Sequence, residues 1–354
     1  MGGPAGAIAA AGSVGWERRD KMLRLTNLSS WPGQLARFAR YPGGLAGFLW
    51  DHDLDGVELI QAGPVSQPLF PRPHIVGWHL PFWLSWLDFY RGDQAGLRSE
   101  FPNRQCLLYY FGGAEPGHLR EVWRRELILA ESLGARYAVV HVAACRHRDV
   151  FTGDFSVSDE EVVEAFIRLL NETVAGLSGK ILILLENLWW PGLTLLKKDL
   201  ISRLLTEIDY PNLGLVLDCS HLMNVRPGLP SQKAAVAYLL RAVEDLGPWA
   251  GRIQAVHLNR SFCGAGGVKA RRKAMGEEAP LPPRDLAEFQ SRFARVYDYI
   301  GGVDPHLPFT EPAIGELLRR VSPAYLVHEL VGEDFALSRR RLAAQVACLR
   351  RGGW

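Results

Sequence analysis

Six apolar runs of this 354-residue chain end in imidazoles or carboxylates. They read Gly77-Trp78-His79, Val139-Val140-His141, Leu184-Leu185-Glu186-Asn187, Leu217-Asp218-Cys219-Ser220-His221, Ala255-Val256-His257-Leu258-Asn259 and Val327-His328-Glu329. An ionisable group at the end of such a run costs several kcal/mol to bury unless it is paired or bound to metal. One histidine in such a place is more often a satisfied core residue than a ligand. The set carries more weight. His79, His141, His221, His257 and His306 are five of the ten histidines, and with Glu186, Asp218, Asp304 and Glu329 they mix nitrogen and oxygen donors as Zn²⁺ or Mn²⁺ sites do. The chemistry expected is therefore that of a divalent-metal site.

Spacing sharpens two of these positions. In Asp218-x-x-His221 the carboxylate closes a run and the imidazole follows one turn later, so both can face one cavity. Asp304-x-His306 reads as an extended segment, where side chains at i and i+2 share a face. By the same alternation His328 points away from the face of Glu329 and is read as structural. His52, His74, His118 and His147 fall in loop-like contexts and receive no role. Near the run ends lie Trp78, Phe82, Trp83, Trp86, Trp189 and Trp190. Trp83, Trp189 and Trp190 are candidate stacking surfaces for a sugar or base, although Trp in such places often simply packs. The basic run Lys269, Arg271, Arg272, Lys273 could contact phosphates, with Lys269 and Arg271 the chosen candidates; a solvated basic loop is the alternative reading.

Something must bring these residues together. Short β-branched runs alternate with amphipathic stretches, the pattern of a parallel sheet. Eight strands are expected: Leu23-Asn27, Gly56-Ile60, Ile75-Leu80, Tyr137-Val142, Ile181-Asn187, Gly214-Asp218, Ile253-Asn259 and Ala324-Leu330. Helix-like stretches include Leu119 to Gly134, Asp159 to Leu177 with Ser158 as its start signal, Lys198 to Ile208 and Ser231 to Leu246. No GxGxxG or Walker-type loop follows any strand, so the fold expected is a (β/α)8 TIM barrel rather than a doubly wound nucleotide-binding sheet. Its polar residues would converge at the carboxyl ends of the strands. A long insertion at residues 260 to 303, with a helical Asp285 to Tyr299, would shape the substrate site from that face. Residues 1 to 21 are expected to be a disordered tail and 22 to 354 a single barrel domain.

Bulk composition sets outer bounds. Hydrophobic residues make up 48% and charged residues 22%, which permits one large core, and the net charge of +2 gives no global field for nucleic acid. The five scattered cysteines contain no CxxC, which argues against a disulfide framework and for reducing cytosol. No run approaches the length needed to span a bilayer.

The strand endings, together with Val303-Asp304-Pro305-His306, Glu311 and Ile314-Gly315, resemble the xylose isomerase-like TIM barrel superfamily, most specifically its endonuclease IV-type branch. The likeness covers most of residues 22 to 350. It implies up to three zinc ions: one on His79, His141 and Glu186; a second sharing Glu186 and completed by Asp218, His257 and Glu329; a third on His221, Asp304 and His306. Sugar isomerases and epimerases of the superfamily share only Glu186, Asp218, His221, His257 and Glu329. Three departures touch the substrate: Val142-Ala143-Ala144 stands where the endonucleases have Pro-Gly, their DNA-gripping loops are not recognisable, and the 260 to 303 insertion splits a segment that is short in them.

Two activities are therefore weighed. The first is hydrolysis of a phosphoester, with Glu186 bridging two metals that activate water. The second is isomerisation or epimerisation of a sugar or sugar phosphate, with one divalent ion on Glu186, Asp218, His257 and Glu329, the catalytic carboxylates Glu186 and Glu329 exchanging a proton, and His221 bonding the substrate. A binding component with a relict site is a third reading, opposed by the complete ligand set.

Overall fold

A computed structural model describes residues 22–62, 74–264, 272–273, 281–332 and 334–354. Eight parallel strands close on themselves in chain order, β1 (Leu23–Ser29), β2 (Gly56–Ile60), β3 (Ile75–His79), β4 (Tyr137–His141), β5 (Leu182–Glu186), β6 (Leu213–Asp218), β7 (Ile253–His257) and β8 (Tyr325–His328). Pairing of β1 with both β2 and β8 completes the TIM barrel. The expected eight strands are all present, with ends displaced by a residue or two. The largest difference is at β8, which stops at His328 because Glu329 and Leu330 turn their N–H groups back onto the Val327 and His328 carbonyls.

Two cores follow from the alternation of side chains along each strand. Inside the barrel Leu25, Val139, Leu184, Val216, Ala255 and Val327 pack around Tyr137 and Tyr325, whose rings lie 4.4 Å apart. Outside it, the helices bury their apolar stripes on the sheet, as Gly117–Leu133 does with Leu119, Trp123, Leu127, Ala130 and Leu133. Helix starts obey local rules: Ser158 and Glu161 form a reciprocal capping box at Asp159–Val174. Within 260–303 the helix is Leu286–Val303, longer than expected at its carboxyl end.

Three histidines expected in loops lie elsewhere. His118 is inside Gly117–Leu133, His52 ends the helix Gly44–Asp51, and His147 opens the helix His147–Thr152 and is fully buried. The short helices His147–Thr152 and Gly44–Asp51 owe their place to tertiary packing, which local pattern does not reveal. His328 does face the helix layer, its Nδ1 3.0 Å from Gln345. Among the described residues no helix is long and apolar enough to cross a membrane. The segment 1–21 and the candidates Lys269 and Arg271 lie outside the described residues.

Candidate metal centre

Where the strands end, nine side chains among the described residues, six from strand ends, His221 from the helix Cys219–Val225, and Asp304 and His306 from the segment after Leu286–Val303, form three contiguous groups. The first joins β3, β4 and β5: His79 Nε2 lies 3.3 Å and His141 Nε2 3.1 Å from Glu186 Oε2, and the two imidazoles are 3.2 Å apart. The second joins β5 to β8, with His257 Nδ1 3.3 Å from Glu186 Oε1, 3.2 Å from Glu329 Oε2 and 3.8 Å from Asp218 Oδ2. In the third, His221 Nε2 and His306 Nε2 sit 3.3 and 2.9 Å from Asp304 Oδ2. Glu186 thus gives one oxygen to the first group and the other to the second.

Local structure holds each ligand. Asp218 is the N-cap of the helix Cys219–Val225, its Oδ1 accepting the His221 N–H at 2.7 Å, so the D-x-x-H spacing is a helix start. The His221 ring is turned by its Nδ1, which donates to the Asn187 carbonyl at 2.9 Å. His79 is fixed likewise, Nδ1 donating to the Leu80 carbonyl at 2.9 Å, which leaves Nε2 for the cluster. Asn259 donates to both Asp218 Oδ2 and Glu329 Oε2, at 2.8 and 2.9 Å. Asp304 Oδ1 accepts from the Ser220 hydroxyl and from Asn224.

The Asp304-x-His306 pair does not form by strand alternation. Asp304 ends the helix Leu286–Val303, and His306 adopts φ 44°, a left-handed conformation that a non-glycine residue enters only under compulsion. That turn swings the imidazole back onto Asp304. The extended reading is corrected, because a helix terminus and not a strand positions the pair.

The electrostatics are unusual. Among the described residues the ion pairs of Glu186, Asp218, Asp304 and Glu329 are with imidazoles alone. Burial opposes charge on every member. Against it, His141 and His257 hold Glu186 well below the carboxylate range, while Asp304 and Glu329 raise His306 to about 9. His221 and His257 are likewise raised by the acids around them. Burial, with the charges of Glu329 and Glu186, pushes Asp218 up to about 7. Protons are a poor substitute for what the cluster lacks: both Glu186 oxygens and His257 Nδ1 are buried without a hydrogen-bond partner. Tetrahedral ligands at Zn–N distances of about 2.1 Å lie about 3.4 Å from one another, close to the spacings seen here. The donor set and its unpartnered atoms fit a divalent metal.

The aromatic candidates separate. Trp189 lies 5.1 Å from the His221 ring and 4.3 Å from Trp190, both nearly buried, and Phe82 meets His141 edge-on at 4.7 Å. Trp83 turns elsewhere, its indole N–H donating to the Tyr110 carbonyl. One polar residue escaped notice in the sequence: Glu58, on β2, is buried with its Oε2 3.2 Å from His257 Nε2. A lone carboxylate inside Val57-Glu58-Leu59-Ile60 was its signal.

The chain belongs to the xylose isomerase-like TIM barrel family, whose profile matches residues 103–294. Solved structures sharing the barrel include endonuclease IV from Thermus thermophilus, 15% identical over 93% of this chain and 99% of that one, TM-score 0.52. Another is the IOLI protein with a binding zinc atom, 12% identical over 94% and 98% of the two chains, TM-score 0.50. A D-psicose 3-epimerase crystallised with D-fructose is 12% identical over 94% and 100%, TM-score 0.49. These likenesses concern the fold. No curated protein sequence matches the chain.

Proposed function

We propose that this protein is a metal-dependent phosphoester hydrolase with a multinuclear His, Asp and Glu site. The observation that carries the reading is the third group, His221, Asp304 and His306, built next to two groups that already share Glu186. A sugar isomerase with one ion would use His221 towards its substrate but has no use for Asp304 and His306. Divalent ions, zinc or manganese by their donor set, would supply Lewis acidity and bring the pKa of water towards neutrality. His79, His141 and Glu186 would hold one, Glu186, Asp218, His257 and Glu329 a second, and His221, Asp304 and His306 a third.

The chain's own residues set the approach and orientation. His141 and His306 are each 16% exposed, whereas the side chains of Glu186, His257 and Glu329 are 9% exposed or less, so a substrate meets the rim imidazoles first. Asn259 keeps Asp218 and Glu329 aimed together. Trp189, beside His221, borders that approach and is the aromatic best placed to touch a substrate. A small phosphoester suits so enclosed a site, and phosphates of a nucleic acid would have to reach the same rim.

The alternative is a sugar or sugar-phosphate isomerase or epimerase using only the Glu186, Asp218, His257 and Glu329 group, with Glu186 and Glu329 moving a proton. In its favour, the ligand atoms of Glu186, Asp218, His257 and Glu329 form a complete four-donor group by themselves, all within 4.8 Å of one another. Metal analysis and Asp304→Ala separate the two. Hydrolysis predicts about three equivalents per chain, with Asp304→Ala losing one equivalent together with most cleavage of bis(p-nitrophenyl) phosphate. One equivalent, an unaffected Asp304→Ala and turnover of a ketose would establish the isomerase instead.

A further inference from the structure

Beneath the candidate metal ligands a fifth carboxylate lies buried in the barrel, where the site as described has no use for it. Glu58, on β2, is 1% exposed, and its Oε2 receives two contacts: the Tyr137 hydroxyl donates to it at 2.8 Å, and His257 Nε2 lies 3.2 Å away. A carboxylate can only accept, so the imidazole must donate and its proton is fixed on Nε2. In the neutral ring that a metal would bind, the lone pair then lies on the other nitrogen, Nδ1. That atom is buried, has no hydrogen-bond partner, and faces Glu186 Oε1, Glu329 Oε2 and Asp218 Oδ2.

The barrel is shaped to permit this. Glu58, Gly77 and Tyr137 sit in register across β2, β3 and β4. A Cβ at position 77 would stand 2.4 Å from the Tyr137 hydroxyl and ring, so a glycine there opens the gap through which Tyr137 reaches Glu58. The phenol in turn fixes the carboxylate under His257. Three strands thus cooperate on the orientation of one ring.

We infer that Glu58 is a positioning residue for the metal centre: held by Tyr137, it sets the tautomer and tilt of His257 so that Nδ1 binds the ion shared with Glu186, Asp218 and Glu329. Partners of this kind raise the basicity of a ligating imidazole and typically change metal affinity about 10- to 100-fold. Asn259, by contrast, orients carboxylates of the same group, and nothing else among the described residues bonds His257 Nε2.

The inference rests on the metal reading above, and its test keeps the two apart. Zinc affinity is measured for the full chain by competition with a chromophoric chelator, for the wild type, Glu58→Gln and Tyr137→Phe. Glu58→Gln should weaken one equivalent about 10- to 100-fold and leave the others unchanged, because a glutamine amide can turn its NH₂ to Nε2 and drive the proton onto Nδ1. Tyr137→Phe should weaken the same equivalent by a smaller factor, about 3- to 10-fold, and stands alone as the test if Glu58→Gln fails to fold. Nitrogen NMR of the zinc-loaded protein should show His257 protonated on Nε2 in the wild type. Wild-type affinity at every equivalent in the variants would overturn the role of Glu58 alone. A wild type that takes up no zinc would overturn the metal centre and this role with it.

Discussion

Among the described residues, two clusters of buried charge are balanced differently. In one, Glu100 on the helix Gln94–Glu100 accepts from Arg292 at 2.8 Å and from the His147 backbone at 2.7 Å, with His147 Nδ1 at 3.1 Å. It brings its own permanent cation. The other holds four acids, Glu186, Asp218, Asp304 and Glu329, with imidazoles as their only paired bases among the described residues. A guanidinium balances the charge of the first within the chain, although Arg292 Nε and Nη1 and both His147 ring nitrogens find no hydrogen-bond partner there, and so that cluster can serve to fasten the helix Leu286–Val303 to its neighbours. The second has no guanidinium or ammonium among the described residues, its unpartnered Glu186 oxygens are acceptors, and it reads as a receptacle for positive charge from outside. Buried charge of either kind is costly to leave incomplete.

The contrast breaks most sharply at Glu186. Glu186→Gln removes charge from the carboxylate shared by two groups, and should cost about 10³-fold in hydrolysis, equivalent to several kcal/mol, together with metal content by elemental analysis. Folding should survive, since glutamine has nearly the shape of glutamate and the barrel core around Tyr137 and Tyr325 is untouched. Arg292→Met does the reverse. It strands Glu100 in the interior and should cost about 3–5 kcal/mol in denaturant unfolding, while the metal content per folded chain stays at the wild-type value. Equal effects of the two substitutions on metal would erase the distinction.

A smaller effect distinguishes the clusters by pH. Burial, followed by the charge of Arg292, lowers His147 from its ordinary 6.5 to about 3. The unfolded chain therefore binds this proton first as pH falls, so the stability that neutral His147 contributes is intact above about 6.5 and lost progressively towards 3. At pH 5 the loss is roughly 2 kcal/mol. His147→Gln should show a shallower fall in Tm between pH 7 and 5 than the wild type in the same buffer and metal. A parallel fall would mean that His147 is already charged in the fold.

How much of this was legible before the fold was seen depended on contrast with the neighbouring residues. His79, Glu186 and His257 stand out because each interrupts or closes an apolar strand, and a closed barrel then gathers strand ends without further information. Asp218 and His221 are legible for a second reason, the spacing that puts the imidazole one turn after the carboxylate, while the N-cap bond that fixes it shows only in the fold. The bend at His306 was not, since a positive φ at a non-glycine residue is imposed by surroundings. Trp83 was assigned to the site by its nearness to His79 in sequence, yet side-chain direction sends its ring against Phe111. His147 gave no sign of burial, because its partners Glu100 and Arg292 are remote in the chain.

Gly77 and Tyr137 also constrain the protein's history. With the phenol in place, a methyl group at position 77 would collide with it at 2.4 Å, whereas a smaller residue at 137 would remove the collision and the support of Glu58 together. The two positions are therefore not independent under substitution: the effect of a change at one depends on which residue already occupies the other. A lineage that gave up the glycine first would have to pass through a strained barrel, and one that gave up the tyrosine first would be freed to lose the glycine afterwards. The order of those steps is thus directional, and a return to the pair of Gly77 and Tyr137 requires the glycine to be regained before the ring.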